Sequence, residues 1–249
     1  MKIRLVTFDA LGTSIIPRKP IERQYADVFR KPFGELSPKV IKKSFSVALK
    51  ELQAEKPNYR DGHEDWWKEV IRRTAIGAGA AVEKVDENLD IVTRRLLNKF
   101  SSSDGYRLVG DAAPIRKRLN DIRVGVGLIT NADSRMRSVF NSLQIKPTNA
   151  SMSSLFSPIL ISEEVGVEKP DAKIFLQACQ MAGVQPSEAV HVGDELKADY
   201  WGAKNAGLHA FLLKRNAVMR NRNEDLTGVD IVHSLNEVYL WVKKNNETA

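Results

Sequence analysis

The chain has 249 residues, 43% hydrophobic and 28% charged, which suits one or two globular domains and excludes a disordered, fibrous or disulfide-built chain. No uncharged run approaches the roughly 18 apolar residues of a membrane helix, and the stretch from Met1 to Asp9 lacks the apolar core and cleavage site of a secretory leader, so no membrane partner is expected. The formal charge of +7 comes from Lys and Arg spread along the chain without a run of five, which argues against a nucleic-acid partner and would favour an anionic small molecule.

Residues 3–8 form a compact, β-branched-rich apolar run that closes on Asp9 and is followed by Gly12, the pattern of a buried strand feeding a tight loop. Residues 17–106 change character. Helical periodicity runs over Pro38–Glu55 and over residues 63–75 and 85–100, with no convincing strand. Ser37-Pro38 is a helix start, with Ser as the cap and Pro in the first turn, and Ser101-Ser102-Ser103-Asp104-Gly105 reads as an exit hinge. From about residue 108, strand-like runs at 124–129, 158–161, 189–192 and 209–213 alternate with helical spacing at 113–120, 134–143, 172–182 and 198–206. That alternation is the mark of right-handed βαβ units. The predicted fold is therefore α/β: a doubly wound, Rossmann-like parallel sheet core in residues 1–16 and 107–249, with an inserted all-helical cap domain in residues 17–106.

Cys179 has no partner for an intrachain disulfide and reads as a buried apolar residue, which implies a reducing compartment, the cytoplasm or the nucleus. The triplets Asn149-Ala150-Ser151 and Asn246-Glu247-Thr248 are then chance matches to a glycosylation pattern.

In open parallel sheets, ligands bind outside the carboxyl ends of the strands. Four polar clusters fall at such ends: Asp9, Thr130-Asn131, Lys169-Pro170, and Gly193-Asp194-Glu195 with Asp199 five residues past Asp194. Each alone reads as a cap, a turn or a solvated lysine. Together, on successive strands, they form one constellation. Asp9 suits a covalent nucleophile, splitting one displacement into formation and hydrolysis of an aspartyl ester. The Thr130 hydroxyl and the Asn131 backbone amide suit the oxygens of a transferred group. Lys169 keeps its charge among carboxylates and orients Asp9. Asp9, Asp194 and Asp199 against Lys169 leave an excess of negative charge that calls for a cation, and Mg2+ prefers such a set of carboxylates, water and phosphate oxygens.

Phe8-Asp9-Ala10-Leu11-Gly12-Thr13, Leu128-Ile129-Thr130-Asn131, Lys169-Pro170-Asp171 with Phe175, and His191-Val192-Gly193-Asp194-Glu195 with Asp199 resemble the four motifs of the haloacid dehalogenase superfamily. Pro57-Asn58-Tyr59 and Trp66-Trp67 resemble its branch named haloacid dehalogenase-like hydrolase domain-containing protein 3. The resemblance implies a hydrolase of a small phosphorylated molecule with a helical cap. Asp9, Asp194 and the backbone carbonyl of Leu11 would be Mg2+ ligands, Asn131 and Thr13 substrate contacts, and Asp199 and Glu195 would stand behind the ligands. A monomer or weak homodimer is expected.

Leu11 departs from the family's phosphatases, which carry an aspartate two residues after the nucleophile as general acid and base. Dehalogenases of the superfamily lack that aspartate, since halide leaves without a proton, but they work without metal and have no acid at the Asp194 position. The sequence thus leaves three readings: a phosphatase without its usual acid, a binding or regulatory protein of negligible turnover, and a 2-haloacid dehalogenase. Gly193-Asp194 favours the first. Tyr25, Tyr59, Trp66 and Trp67 are read as cap core before substrate contacts.

Overall fold

A computed structural model describes residues 2–59, 62–143, 157–215 and 225–248; the triplet at Asn149 lies outside them. In chain order the elements are β1 (Leu5–Phe8), β2 (Ile15–Pro17), α1 (Ile21–Phe33), α2 (Pro38–Glu55), α3 (His63–Gly77), α4 (Val82–Lys99), β3 (Tyr106–Leu108), α5 (Ala112–Asp121), β4 (Gly125–Thr130), α6 (Met136–Ser142), β5 (Ile159–Ile161), α7 (Ser162–Val165), α8 (Ala172–Ala182), β6 (Ala189–Gly193), a π-helical turn (Leu196–Trp201), α9 (Gly202–Asn205), β7 (His209–Leu213), β8 (Ile231–Val232) and α10 (Leu235–Glu247). They divide into two compact units, one of Met1–Ile16, Leu108–Ala132 and Gln144–Ala249, the other of Pro17–Arg107 and Asp133–Leu143.

The first unit is a six-stranded sheet of order β5-β4-β1-β6-β7-β8, parallel throughout and flanked by helices, a Rossmann-like α/β core. Strands buried on both faces read as near-continuous apolar runs, and Leu5–Phe8 and Ala189–Gly193 are buried along their whole length. Leu5, Ile129, Ala189 and Leu212 of the sheet pack with Phe175, Ala178 and Cys179 of α8 and Ala203 of α9 in one apolar cluster. β1 lies between β4 and β6, so the chain winds outward from it in both directions. That reversal opens the crevice at the carboxyl ends of the strands.

The second unit is built from α1 to α4 around Tyr25, Phe29, Ile41, Ile71, Val85, Val92 and Leu96, with a smaller group of Ala48, Leu52, Trp66 and Val70. The buried residues Val85, Leu89, Val92 and Leu96 make one stripe along α4 at helical spacing. Tyr25 and Trp66 are core residues, while Tyr59 and Trp67 are half-buried and pack on Trp66 with ring centroids 5.0 Å away in both cases. β2 and β3 pair as a two-stranded ribbon.

Several details differ from the sequence reading. α1 was not anticipated, α4 starts at Val82 rather than at residue 85, and the segment after Glu195 is a π-helical turn before it becomes α-helical. Ser37 holds the cap position of α2 but its side chain makes no cap bond, so Pro38 in the first turn marks the start. Asp133–Leu143 groups with the helical unit, beyond the residues 17–106 read from the sequence. Its anchor is a buried pair, Arg135 to Asp133 at 2.7 Å, with the Trp67 indole N–H donating to Asp133 at 2.8 Å. Among the described residues no helix is long and apolar enough to cross a membrane.

Candidate active site

The turn after β1 is knotted by its own backbone. The amides of Ser14 and Ile15 both donate to the Ala10 carbonyl, at 2.9 and 2.8 Å, and the Gly12 amide donates to Ile15 at 2.8 Å. Gly12 has φ +93°, and a Cβ there would fall on the Asp194 carboxylate, so only glycine lets the turn close this tightly against Asp194. The Ser14 hydroxyl donates to the Asp9 carbonyl at 2.9 Å. Asp9 is held at the strand end with 7% exposure, and Leu11 at the apex is 39% exposed.

Lys169, 4% exposed, uses all three ammonium hydrogens. Its Nζ donates to Asp9 Oδ1 at 2.6 Å, to Asp199 Oδ1 at 2.6 Å and to the Ile129 carbonyl at 3.0 Å. The residue is itself clamped: the Asn131 side chain accepts from the Lys169 amide and donates to the Lys169 carbonyl, both at 2.8 Å. Asn131 therefore spends its side chain on the Lys169 backbone.

Asp199 projects from the π-helical turn, and its Oδ2 accepts the Glu195 amide at 2.9 Å. A Cβ at Gly193 would fall on the Asp199 side chain, the second place where glycine makes room for a carboxylate. His191 Nε2 lies 3.1 Å from Asp199 Oδ1, and Nδ1 lies 2.9 Å from the Thr7 hydroxyl. Asp194 Oδ1 accepts from the Thr13 hydroxyl at 3.3 Å, and its backbone carbonyl accepts from Lys214 at 3.3 Å.

Carboxylate oxygens of Asp9, Asp194 and Asp199 lie within 4.8 Å of one another. Burial, then Asp199 and Asp194, push Asp9 up to about 8 against the pull of Lys169. Burial, Asp199 and Glu195 push Asp194 up to about 6. Burial also works against the charges of Asp199 and Lys169, but the pairing between them wins: Asp199 stays well below the usual carboxylate range and Lys169 well above the usual lysine. Burial pulls His191 below the usual histidine range, against the pull of Asp199, and so favours the neutral ring. Were all three carboxylates ionised, the one ammonium would leave two negative charges unmatched, and the upward push on Asp9 and Asp194 is the response to that excess. Two glycines that make room for carboxylates and a set of hard oxygen donors fit a small divalent cation.

The structure thus brings Asp9, Asn131, Lys169 and Asp199 into one hydrogen-bonded group, with the Asp194 carboxylate and its partner Thr13 beside it. Thr130 ends β4, buried, next to Asn131. Glu195 is exposed and enters through its backbone N–H. Sequence reasoning missed the contributions of Thr7, Ser14 and His191. The available signal was two polar residues, Thr7 and His191, inside otherwise apolar strand runs.

The haloacid dehalogenase-like hydrolase family matches the chain over residues 3–207. The mouse (Mus musculus) haloacid dehalogenase-like hydrolase domain-containing protein 3 is 29% identical over 217 residues, which cover 86% of this chain and 82% of the mouse one. Among solved structures, the HAD-hydrolase YfnB from Bacillus subtilis, bound to magnesium, superposes with TM-score 0.71 at 17% identity, covering 98% of this chain and 100% of its own. The 2-haloacid dehalogenase from Pseudomonas syringae pv. Tomato DC3000 superposes with TM-score 0.62 at 22% identity, covering 98% and 99%. At these identities the two structures speak for the fold, and the family match over most of the chain speaks for descent. The protein belongs to the haloacid dehalogenase-like hydrolases, on the branch that holds domain-containing protein 3.

Proposed function

We propose that the chain is a magnesium-dependent hydrolase that takes a phosphoryl group from a small phosphorylated molecule onto Asp9 and then delivers it to water. The observation that carries this reading is the seat of Lys169 Nζ between Asp9 Oδ1 and Asp199 Oδ1, 2.6 Å from each, with the Asp194 carboxylate beside them. Because Lys169 engages Oδ1, Oδ2 of Asp9 is the oxygen left to attack. The Oδ2–phosphorus bond forms as the bond to the leaving oxygen breaks, and that oxygen carries the electron pair away. Water then attacks phosphorus, the acyl phosphate bond breaks, and Asp9 returns as a carboxylate beside inorganic phosphate. The Thr130 hydroxyl and the Asn131 amide are assigned to the phosphoryl oxygens, where such donors stabilise developing charge, while the buried Thr13 hydroxyl donates to Asp194 and would steady that ligand. Asp9, Asp194 and the Leu11 carbonyl would hold Mg2+, which neutralises charge shared between carboxylates and phosphate.

Leu11 sets the substrate class. An aliphatic side chain moves no proton, and general acid-base help is typically worth about 10²–10⁴-fold. The substrate on this reading is an aryl, enol or acyl phosphate, whose leaving group departs without protonation. Asp194 weighs against a haloacid substrate, because a carboxylate this close to Asp9 repels an anionic acid when no metal offsets it. The helical unit is proposed as a lid that excludes water during turnover. The test is turnover of p-nitrophenyl phosphate, acetyl phosphate, an alkyl phosphate and 2-chloropropionate, with and without Mg2+. Metal-dependent phosphate release from the first two supports the reading, and metal-free halide release from the last refutes it.

A further inference from the structure

We infer that His191, steadied by Thr7, is a positioning residue for the chemistry at Asp9, acting through Asp199 and Lys169. The inference rests on the reading of Asp9 as nucleophile. Thr7 and His191 are cross-strand partners of β1 and β6, and both are fully buried. The His191 ring packs edge-on against Phe175, with centroids 5.0 Å apart and planes at 76°. An apolar side chain would fill that space without the cost of burying two ring nitrogens. What the imidazole adds is a continuous line of short contacts: Thr7 Oγ1 to Nδ1 at 2.9 Å, Nε2 to Asp199 Oδ1 at 3.1 Å, then Asp199 Oδ1 to Lys169 Nζ and Lys169 Nζ to Asp9 Oδ1, each at 2.6 Å.

The order of donors follows from the ends of the line. Asp199 already accepts from Lys169 and from the Glu195 amide, so it is an acceptor toward His191 and the proton sits on Nε2. Nδ1 of the neutral ring is then a lone pair, and the Thr7 hydroxyl donates to it at 2.9 Å in preference to the Val190 carbonyl at 3.3 Å. A proton on Nδ1 alone would set the bare Nε2 against a carboxylate, and a charged ring would bury a second cation beside Lys169. The resulting Nε2–H is the third donor to Asp199. It fixes the carboxylate plane and draws charge from Oδ1, so that Lys169 stays shared between Asp199 and Asp9 instead of collapsing onto Asp199. Without it, Asp9 Oδ1 loses its hold and Oδ2 its aim.

The test uses the full chain, p-nitrophenyl phosphate and Mg2+, with His191→Phe, His191→Gln, Thr7→Val and Asp9→Asn. His191→Phe should lower kcat about 10- to 100-fold, the usual effect of removing a buried partner behind a reacting group. KM, the Mg2+ dependence and the melting temperature should hardly move. His191→Gln, which keeps an N–H near the Nε2 position, should recover most of the loss, and Thr7→Val should show a smaller kcat defect. Wild-type kcat in His191→Phe beside an inactive Asp9→Asn overturns the inference while sparing the nucleophile. Full activity in Asp9→Asn instead removes the reading on which the inference rests. A second measurement needs no turnover: 15N spectra of histidine-labelled protein should show His191 neutral with its proton on Nε2. A proton on Nδ1 alone, or a charged ring near pH 7, overturns the donor order.

Discussion

Leu11 stands two residues after Asp9 with 39% of its surface exposed, and on the proposed reading it takes the place of the group that would hand a proton to the leaving oxygen. Rates on phosphates are therefore expected to depend steeply on leaving-group acidity. Leu11→Asp should raise turnover of alkyl phosphates selectively, by up to about 10²-fold, at the low end of what general acid-base help supplies. A uniform change across all leaving groups would contradict the account. At the opposite side of the cluster, Asp194→Asn should abolish the melting-temperature rise that Mg2+ gives the wild type, since a ligand stabilises only the state that binds it. Equal shifts in the two proteins would remove the metal site. Asp9 and Asp194 were legible because each breaks an apolar pattern just where a strand ends, and Lys169 and Asp199 because each follows such a strand at the spacing of the family's motifs. Thr7 and His191 were not, because a polar residue inside a buried strand looks like strand content until its cross-strand partner is known. Ser14 was hidden for a related reason: its bond to the Asp9 carbonyl is a product of the turn, not of spacing.

Among the elements, α6 shows how a local pair outweighs sequence position. It is the next element after β4, and alternation alone read it as a helix of the α/β core. Yet Asp133 and Arg135, with 6% and 16% side-chain exposure, are paired at 2.7 Å, and the Arg135 guanidinium lies 5.2 Å from the Trp67 ring centre. Breaking such a pair from one side strands a buried charge at a cost of about 3–5 kcal/mol. Asp133→Ala and Arg135→Met should therefore each lower stability strongly, the second by stranding the more buried partner even where the apolar stem still packs on Trp67. Burial works against the Asp133 charge, but Arg135 and the Trp67 N–H hold its carboxyl below the ordinary range. A depressed folded-state pKa contributes stability that is complete above the unfolded value, near 3.9 for aspartate, and is lost as pH falls below it. Wild type should thus lose stability relative to Asp133→Asn below about pH 4 in denaturant titrations, and parallel curves would refute the assignment. The other misses are of scale. β8 spans two residues, too few for any period, and the apolar positions Ile21, Tyr25, Phe29 and Phe33 of α1 are spaced among polar residues and closed by Pro32.

For the molecule as a whole, strand and helix alternation after residue 108 and its loss before that point were enough to read a parallel α/β core with a helical insert, because a doubly wound sheet repeats one pattern. Contacts that no repeat encodes, such as Trp67 with Asp133, were beyond that reading. The lid role proposed for the helical unit leads to a distance measurement. Spin labels on Glu87→Cys and Lys244→Cys, both exposed sites, should change their separation when Mg2+ and beryllofluoride are added. Cys179 is buried and its thiol is pushed up to about 11 by burial, so it does not compete for label. An unchanged distribution would count against closure. The central claim, that Asp9 carries the phosphoryl group, is tested most directly by acid-quenching a reaction with acetyl phosphate and Mg2+ and mapping the modified peptide. The account expects phosphate release together with a phosphoryl group on the peptide containing Asp9, both lost in Asp9→Asn. With Mg2+ demonstrably bound, no release from even this activated phosphate, or release undiminished in Asp9→Asn, would contradict it.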